Sequence, residues 1–523
     1  MASWTDGYVT DIQYTSGFYR ELAPSLLTYV ALIAGQRAPS LEEPFTYCEL
    51  GCGQGFGTNI VAAANPRGRF WGFDFNPAQI ANARRLADRS GLKNVTFGED
   101  SFEQLARRPE GDLPKFDFIV LHGIYSWITE TNRNAIVRFI AQNLRSGGLV
   151  YVSYNSLPGW SAAGPLQRLI LEHAKANPAR SDRQFDAALA FMRQLKEGGA
   201  RYFVANPAAV SRLEGMDRQS RNYLAHEYLN GSWHPLYHAD VVRELEPAKL
   251  TFVASANILE NIDGISVPKD VRPILSTLSD PVMVQTVKDY ALNQQFRRDV
   301  FVKGASVIPS VEHLATLRET RFLATRSFPD KTLTFQTPLG EATASDEVYR
   351  PLYEPLTQEH GISIGEALTL PSLSGQPLQT IAQSLAVLSG TGHAHPALSI
   401  VSPEADACAA RFNRSVIESV LDGSDLSFLA SARIGSGIPV SAIDMFAIDA
   451  LWKDADLVAG DLATEIWKRM LRSGRRVNQD GEALTEEADN LKALVGMAET
   501  ILKEKFPIWR SLGLLAQSGS RHA

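Results

Sequence analysis

The chain has 523 residues, of which 45% are hydrophobic and 21% are charged, values typical of a globular protein with sizeable cores. This length corresponds to roughly three or four domains of about 150 residues each. The formal net charge of −7 argues against a nucleic-acid partner, because duplex-binding proteins usually present a basic surface. We also expect no membrane span, since no apolar run approaches the ~18 residues that a membrane helix needs.

Cysteine content and the first residues together predict a cytoplasmic protein. Cys48, Cys52 and Cys408 are the three cysteines, and no CxxC pair occurs. This sparse, odd number fits a reducing compartment better than a disulfide framework. The opening MASWTDGYVTDIQY contains neither the basic nor the apolar segment of a signal peptide.

Hydrophobic patterning predicts strands that alternate with helices over the first 160 residues. After a helix at 24–34, five strands are predicted, in the segments FTYCEL, RFWGFD, NVTFGED, FDFIVLHG and LVYVSYN. The intervening segments predict a helix at 77–91, capped by Asn76 and ended by Gly91, and a helix closed by Gly147. Such alternation is typical of a doubly wound α/β fold with a parallel sheet.

The pattern changes after residue 160, and we predict additional α-helical and α+β domains. The five predicted units are a ligand-binding core at 1–160, a helical insertion and candidate dimerisation element at 161–215, a middle domain at 216–310, a small α+β unit of winged-helix type at 311–403, and a mainly helical domain at 404–523. Within the α+β unit, RFLATR and TLTFQT predict strands and LQTIAQSLAVLSG predicts a helix.

Four glycines alternate in YCELGCGQGFG, directly after the first predicted strand. The dinucleotide pattern G-x-G-x-x-G fails because Phe56 occupies its third glycine position, and the lysine of a phosphate-binding loop is absent. What remains is a strand, a bare turn and a helix N-terminus, which lets a ligand approach the main chain and offers free N–H donors. An ordinary structural turn is the alternative.

Three acidic residues lie at predicted strand ends near this turn. Glu49 precedes the glycines, Asp74 ends the second strand, and Asp100 ends the third. A carboxylate at the end of the second strand can accept hydrogen bonds from both ribose hydroxyls. Carboxylates at all three ends suit a nucleoside that carries positive charge and no phosphate, and S-adenosylmethionine (SAM) is such a ligand.

The motifs ELGCGQG and GFDFNP resemble those of class I SAM-dependent methyltransferases, a family with a Rossmann-like, seven-stranded α/β core. The segments HGIYSWI, YVSYNSLPGW, YLAHEYLNG and ASARIGSGIPVSAID resemble the subfamily that carries a methyltransferase regulatory domain. That subfamily includes bacterial protein-lysine methyltransferases that act on outer-membrane protein B. The resemblance therefore implies that residues 216–310 form the regulatory domain.

The resemblance also implies a set of cofactor-binding residues. These are Tyr14, Phe18, Glu49, Gly51, Gly53, Asp74, Phe75, Asp100, Ser101 and His122. Glu49 and the two glycines would line the methionine end of SAM, and Asp74 would bind the ribose. Asp100, with the backbone that follows it, would meet the adenine, and the YTSGFY segment would lie over the cofactor.

Candidate catalytic residues follow the fourth and fifth predicted strands, at His122, Tyr125, Tyr154 and Asn155. Carboxyl ends of strands face the ligand crevice in open α/β sheets, so these side chains are expected to border the acceptor channel. Aromatic rings there could hold a cationic amine, and His122 could accept a proton. The alternative, that these residues only pack or position the cofactor, stays open.

We expect no metal site. The segment HEYLNGSWHPLYH departs from H-E-x-x-H, because Asn230 stands where the second histidine is needed. It is expected to pack against the catalytic domain instead.

The predicted function is SAM-dependent methyl transfer in a bacterial protein, with a protein lysine as acceptor and a homodimer as the expected assembly. HGIY replaces the Asp/Asn-Pro-Pro-aromatic motif that the resemblance would imply for nucleic-acid amino-methyltransferases. The alternatives are a small-molecule methyltransferase of secondary metabolism and a SAM-binding regulator without turnover.

Overall fold

A seven-stranded sheet lies at the centre of the computed structural model, which describes residues 17–399, 401–479 and 481–515. Its strands are β1 (Thr46–Leu50), β2 (Arg69–Asp74), β3 (Val95–Glu99), β4 (Phe116–Leu121), β5 (Leu144–Asn155), β6 (Leu250–Ser255) and β7 (Phe296–Lys303). The spatial order is β3-β2-β1-β4-β5-β7-β6. Strands β1 to β5 pair in parallel, and β7 runs antiparallel between β5 and β6. The five predicted strands and the α/β class are confirmed, and the complete sheet is mixed.

Helices cover both faces of this sheet. The helices up to residue 292 are α1 (Pro24–Ile33), α2 (Phe56–Ala64), α3 (Pro77–Arg89), α4 (Phe102–Arg107), α5 (Glu130–Asn143), α6 (Gly164–Ala176), α7 (Ser181–Glu197), α8 (Arg201–Ala205), α9 (Pro207–Gly215), α10 (Arg221–Tyr228), α11 (His238–Leu245), α12 (Asp263–Ser266), α13 (Arg272–Leu275) and α14 (Pro281–Leu292). Helices α1, α2 and α3 share one hydrophobic core, and α5 and α11 share the core on the opposite face. The predicted cap of α3 is confirmed, because the Asn76 side chain accepts a hydrogen bond from Ala78 N.

The predicted extension of α5 to Gly147 is wrong. The helix ends at Asn143, and Leu144 already begins β5 and pairs with Phe116 of β4. Gly147 has a φ of 79° inside the strand, where the register to β4 is irregular. Pairing with the central strand therefore overrides the local preference for helix.

The sheet extends beyond residue 160, where the predicted ligand-binding core ends. Strands β6 and β7 come from residues beyond 249, so helices α6 to α11 form an insertion between β5 and β6. The first part of this insertion, up to residue 229, has its own small hydrophobic core. The insertion begins at the carboxyl end of β5, which brings it close to the crevice at the strand ends.

The C-terminal part combines small sheets with helices. Its elements are α15 (Ser310–Glu319), β8 (Arg321–Ala324), β9 (Thr334–Thr337), β10 (Gly340–Thr343), α16 (Asp346–Thr357), β11 (Ile362–Ser363), α17 (Ile364–Ala367), α18 (Leu378–Gly390), β12 (Ala394–Pro396), α19 (Pro403–Leu421), β13 (Phe428–Ser431), β14 (Ser436–Pro439), α20 (Ala442–Leu451), α21 (Ala459–Arg472), β15 (Asn478–Gln479), β16 (Glu482–Ala483), α22 (Glu487–Thr500) and α23 (Phe506–Ser511). The strands predicted in RFLATR and TLTFQT and the helix predicted at 378–390 are confirmed as β8, β9 and α18. The division into separate domains stays a prediction. No helix among the described residues is both long and apolar enough to cross a bilayer.

The hairpin β13–β14 packs directly on the helix that follows the glycine turn. Asn65, which caps the end of α2, donates a hydrogen bond from Nδ2 to Gly435 O at 2.9 Å. Ser25 Oγ of α1 donates to Ile434 O at 2.6 Å. The C-terminal part of the chain is thus joined to the N-terminal sheet through α1 and α2.

A buried ionic cluster fixes β7 to its neighbours. Arg297 donates to Asp289 Oδ1 of α14 at 2.5 Å and to Asp299 at 3.0 Å. Asp299 also accepts a hydrogen bond from Tyr154 Oη of β5 at 2.6 Å and lies 2.9 Å from His238 Nδ1 of α11. Although burial opposes ionisation, the Arg297 charge holds the pKa of Asp299 well below its usual range.

Replacing Asp299 by alanine is expected to lower the free energy of unfolding by about 3–5 kcal/mol, because the buried Arg297 loses a counter-charge. Urea denaturation measures the change. The matched control is Asp112→Ala, which removes an exposed ion pair with Arg108 and is expected to cost less than about 1 kcal/mol. Equal effects of the two substitutions would contradict the structural role of the cluster.

Candidate functional site

The glycine turn between β1 and α2 has a left-handed backbone at three alternate positions. The φ angles are 72° at Gly51, 54° at Gly53 and 66° at Gly55. A Cβ at Gly51 would lie 2.5 Å from Ile124 Cδ1, and one at Gly55 would lie 2.4 Å from Ala83 Cβ. These two positions therefore have a structural reason for glycine. Gly53 differs, because the nearest atom to its Cβ position is the flexible Gln79 Oε1 at 3.6 Å. The main chain at Gly53 is open to a ligand.

Two buried carboxylates flank the open position. Asp74 Oδ2 accepts a hydrogen bond from Gly53 N at 3.0 Å, and Oδ1 accepts one from Asn76 N at 2.9 Å. Glu49 accepts a hydrogen bond from the Thr58 hydroxyl at 2.5 Å. Burial raises the pKa of Glu49 to about 7 and also raises the pKa of Asp74.

Neither carboxylate forms an ion pair with a lysine, arginine or histidine of the described chain. Buried charges are normally paired, since desolvation of an isolated ion is costly. Two unpaired carboxylates beside an open main chain fit a cationic ligand, and a pyrophosphate would be repelled. This charge pattern meets the requirement that the sequence predicted for SAM.

The predicted adenine-side residues lie at the carboxyl end of β3 but already hold partners. Asp100 Oδ2 is 2.9 Å from Arg108 Nη2, and Ser101 Oγ accepts a hydrogen bond from Gln104 N to cap α4. Phe75 is half-buried directly after β2. The roles of Asp100 and Ser101 toward adenine, and of Phe75 in cofactor binding, stay predictions.

The N-terminal segment contributes two residues to this region: Phe18, which the sequence predicted, and Tyr19, which the sequence analysis missed. Tyr14 lies outside the described residues. Phe18 is buried, with its ring edge-on to Phe428 of β13 at 5.8 Å, and lies 3.9 Å from where a Cβ on Gly57 would be. The missed residue is Tyr19, the last letter of YTSGFY, whose ring stacks on His122 with centroids 3.6 Å apart.

His122 lies at the carboxyl end of β4 among aromatic and polar neighbours. Its Nδ1 is 2.8 Å from Tyr151 Oη and 3.3 Å from Ser153 Oγ. Burial, and then the charge of Arg298, lowers the pKa of His122 to about 3. Such a ring is neutral at pH 7 and binds a proton weakly, which argues against the predicted proton transfer to His122.

The structure does not bring Tyr125 and Tyr154 to His122, contrary to the prediction that they border the acceptor channel. Both rings are fully buried in the core shared by α5 and α11. Tyr125 Oη donates to Glu244 Oε2 at 2.8 Å, and Tyr154 Oη donates to Asp299. The reason at Tyr154 is strand alternation, since Tyr151 and Ser153 point to one face and Tyr154 to the other. Asn155 stays a candidate, because its buried Nδ2 has no hydrogen-bond partner among the described residues.

The segment after α10 lies against the carboxyl ends of β4 and β5. Asn230 Nδ2 donates to Trp127 O at 3.2 Å, His234 N donates to Ser126 O at 2.7 Å, and Leu236 N donates to Asn155 O at 2.9 Å. Packing of this segment against the catalytic domain is therefore confirmed. No group of three or more His, Cys, Asp or Glu in the described parts of the chain is arranged to hold a metal ion.

Two family models match the chain. Residues 41–216 match a methyltransferase domain, and residues 220–303 match a predicted methyltransferase regulatory domain. The second match begins at α10 and ends with β7. The segment that lies against the ends of β4 and β5 thus belongs to the regulatory domain, which also supplies the last two strands of the sheet.

Relatives and solved structures extend the likeness to nearly the whole chain. The chain is 39% identical to the uncharacterized protein sll1526 of Synechocystis sp. over 98% of this chain and 100% of that protein. It is 28% identical to the uncharacterized protein RP789 of Rickettsia prowazekii over 55% of this chain and 51% of that protein. The structure of PKMT2 from Rickettsia typhi in complex with AdoHcy is similar with a TM-score of 0.70 at 18% identity, covering 96% of this chain and 100% of that chain.

Substituting alanine at Gly55 is expected to lower the free energy of unfolding by about 2–5 kcal/mol, from backbone strain and from overlap with Ala83. The matched control is Gly91→Ala, because Gly91 has a φ of 65° with nothing within 4 Å of its Cβ position. That control isolates the backbone cost of about 1–2 kcal/mol. Thermal or urea unfolding measures both, and a Gly55 effect no larger than the Gly91 effect would refute the close packing.

Proposed function

We propose that this chain, which belongs to the SAM-dependent methyltransferases that carry a methyltransferase regulatory domain, transfers methyl groups to lysine side chains of a protein. The family determines the methyl donor and the reaction class. The lysine acceptor is supported by the shared fold with PKMT2, a protein lysine methyltransferase whose structure contains AdoHcy. Pairing of two chains through residues 161–215 stays a prediction.

The observation that supports SAM as the methyl donor is the pair of buried carboxylates without a cationic partner, Glu49 and Asp74, beside the main chain of Gly53. When bound, SAM supplies a methyl group on a positively charged sulfonium. Glu49 and Gly53 bind the methionine end, where the ligand is cationic, and Asp74 accepts hydrogen bonds from the ribose hydroxyls. Phe18 covers the start of α2 and helps to exclude water from this end of the crevice.

A lysine acceptor must lose a proton before it can attack a methyl group. Its ordinary pKa is about 10.4, so deprotonation at pH 7 costs about 4–5 kcal/mol. The neighbours of His122 are the aromatic rings of Tyr19, Tyr151 and Phe296 and the hydroxyl of Ser153. Aromatic faces attract the cationic amine to the site. Displacement of water from around the amine then lowers its pKa and favours the neutral form that reacts.

Incubation of the protein with radiolabelled SAM and fractionated bacterial extract tests the acceptor class. The expected result is label in protein that acid hydrolysis recovers as methylated lysine. Label confined to small molecules would replace the proposal by the small-molecule alternative. SAM binding by calorimetry without label in any fraction would replace it by the regulator without turnover.

The affinity for SAM is expected to rise about tenfold between pH 5.5 and 7.5, as Glu49 with its pKa of about 7 loses its proton. The sign follows from charge, since the ionised carboxylate attracts the cationic ligand and the protonated one does not. Glu49→Gln is expected to remove this pH dependence. Calorimetry at several pH values measures it, and an equally steep rise in the variant would refute the assignment.

A further inference from the structure

We infer that the acceptor polypeptide lies in a cleft beside His122, where amide side chains of the regulatory domain and of hairpin β9–β10 bind its main chain. This inference rests on the proposed lysine acceptor and deepens it, because it assigns a binding surface to the residues that flank the lysine. We call this surface the amide cleft. Its polar lining residues are Asn257, Glu260, Gln294, Gln295, Gln336 and Thr337.

Three distant segments of the chain enclose the amide cleft. They are the turn after β6 at 257–260, the residues that join α14 to β7 at 292–296, and the end of β9 with the following turn at 336–338. The cavity between them measures about 440 Å³, within the range of about 300–1,000 Å³ that is typical of ligand sites. The first two segments lie within the match to the regulatory domain, and the third lies in the C-terminal part of the chain.

Phe296 joins the amide cleft to the strand ends of the sheet. It lines the cleft, and its ring lies edge-on to the His122 ring with centroids 5.8 Å apart. His122 is at the carboxyl end of β4, the edge at which ligands bind in open α/β sheets. A polypeptide whose lysine side chain reaches His122 can therefore place its neighbouring residues in the cleft. A small acceptor would bind at His122 alone.

The backbone on two sides of the amide cleft is held in place. Gln295 O accepts a hydrogen bond at 2.8 Å from Ser156 N, directly after β5. In the turn after β6, Asn261 Nδ2 donates to Ser255 O at 2.7 Å, and Ser255 N donates to Asn261 Oδ1 at 3.0 Å. The amide side chains on these segments therefore extend from a fixed frame.

Glu260 determines how two of the amides are oriented. Its Oε1 accepts hydrogen bonds from Asn257 Nδ2 at 2.8 Å and from Gln294 Nε2 at 3.1 Å. Its Oε2 accepts one from the Ser255 hydroxyl at 2.6 Å. Because an ionised carboxylate only accepts hydrogen bonds, the NH₂ end of each amide must face Glu260. The carbonyl ends, Asn257 Oδ1 and Gln294 Oε1, remain as acceptors without a partner among the described residues.

Two further glutamines supply donors to the cleft. Gln295 Oε1 accepts a hydrogen bond from Arg212 Nη1 at 3.1 Å, which leaves its NH₂ group for another partner. Gln336 is exposed in β9, and its side chain forms no hydrogen bond within the described chain. The cleft thus offers acceptors and donors together, and each peptide unit of an extended chain carries one N–H donor and one C=O acceptor.

The charge of the cleft favours a polypeptide over a phosphorylated ligand. Among the described residues that line it, Glu260 alone is charged, and neither lysine nor arginine is present. A phosphate would meet a carboxylate and no cation, whereas phosphate sites are normally built with arginine or lysine. The neutral amides instead match the neutral N–H and C=O groups of a main chain.

The test compares a long and a short acceptor in assays with radiolabelled SAM. The long acceptor is a synthetic peptide of about 12 residues, extended over up to about 40 Å, with one central lysine and no other charged side chain. The short acceptor is N-acetyl-lysine methylamide, which cannot reach the cleft from His122. For wild-type protein we expect a KM for the peptide that is lower by about tenfold or more, because only the peptide gains the cleft contacts.

Gln336→Trp is the variant that obstructs the cleft with a large ring. We expect the KM for the peptide to rise about tenfold while kcat stays within about twofold, because binding that is equal in ground and transition states affects KM alone. Both constants for the short acceptor should stay as in wild type. Gln358→Trp is the matched control, since Gln358 is an exposed glutamine directly after α16, and it should behave as wild type.

The outcomes separate the two proposals. If wild-type protein labels no lysine, in either acceptor or in protein fractions, the lysine acceptor is wrong and the amide cleft has no polypeptide to bind. If wild-type protein methylates both acceptors with equal KM, only the cleft is overturned. The same holds if Gln336→Trp and Gln358→Trp have equal KM for the peptide. Should only intact proteins be labelled, the two variants are compared on the labelled protein fraction.

A second variant applies should Gln336→Trp lose S-adenosylhomocysteine binding in calorimetry through misfolding. The double substitution Gln295→Ala and Gln336→Ala removes both available NH₂ groups without adding bulk. The KM for the peptide is then expected to rise about fivefold or more, from the loss of two hydrogen bonds. An unchanged KM in a double variant that still binds S-adenosylhomocysteine would also overturn the inference.

Discussion

The proposed ligand site is defined by one constraint, which is that Glu49 and Asp74 are buried without a cationic partner among the described residues. Desolvation of Glu49 and Asp74 is offset only in part, by the Thr58 hydroxyl and by backbone N–H groups around Gly53. A protein retains such groups at a cost in stability, and a cationic ligand recovers it on binding. Asp299 shows the opposite solution in the same sheet, because Arg297 pairs with it completely enough to keep it ionised. The contrast separates a carboxylate that is paired within the fold from the two carboxylates that we propose bind the ligand.

The order of the strands determines which residues meet in the crevice. Because β7 lies between β5 and β6, the chain must leave the sheet after β5 and return to its far edge. The segment between α10 and α11 in that excursion lies against the carboxyl ends of β4 and β5. The regulatory domain therefore contacts the carboxyl ends of β4 and β5, and it completes the sheet as well. Separation of the two domains would leave β5 with an unpaired edge and the crevice open to water.

The far end of the chain supports the cofactor side of the crevice. Hairpin β13–β14 binds α1 and α2 through backbone carbonyls at Ile434 and Gly435, and Phe18 packs against Phe428. Helix α2 begins at the glycine turn, so its position sets the position of the turn. The C-terminal part of the chain thus acts on the ligand site through packing, without a residue of its own among the proposed ligand contacts.

The sequence by itself determined the local features: five strands, the bare turn, and carboxylates at the ends of β1, β2 and β3. These follow from hydrophobic periodicity and from residue types whose effect is felt within a few positions. Only the tertiary structure decided which side chains share a space. It turned Tyr154 toward Asp299 and Tyr151 toward His122, stacked Tyr19 on His122, and lowered the basicity of His122 by burial. Burial and contacts between residues up to 145 positions apart, as for Tyr154 and Asp299, set these outcomes, and neither is encoded in any short stretch of sequence.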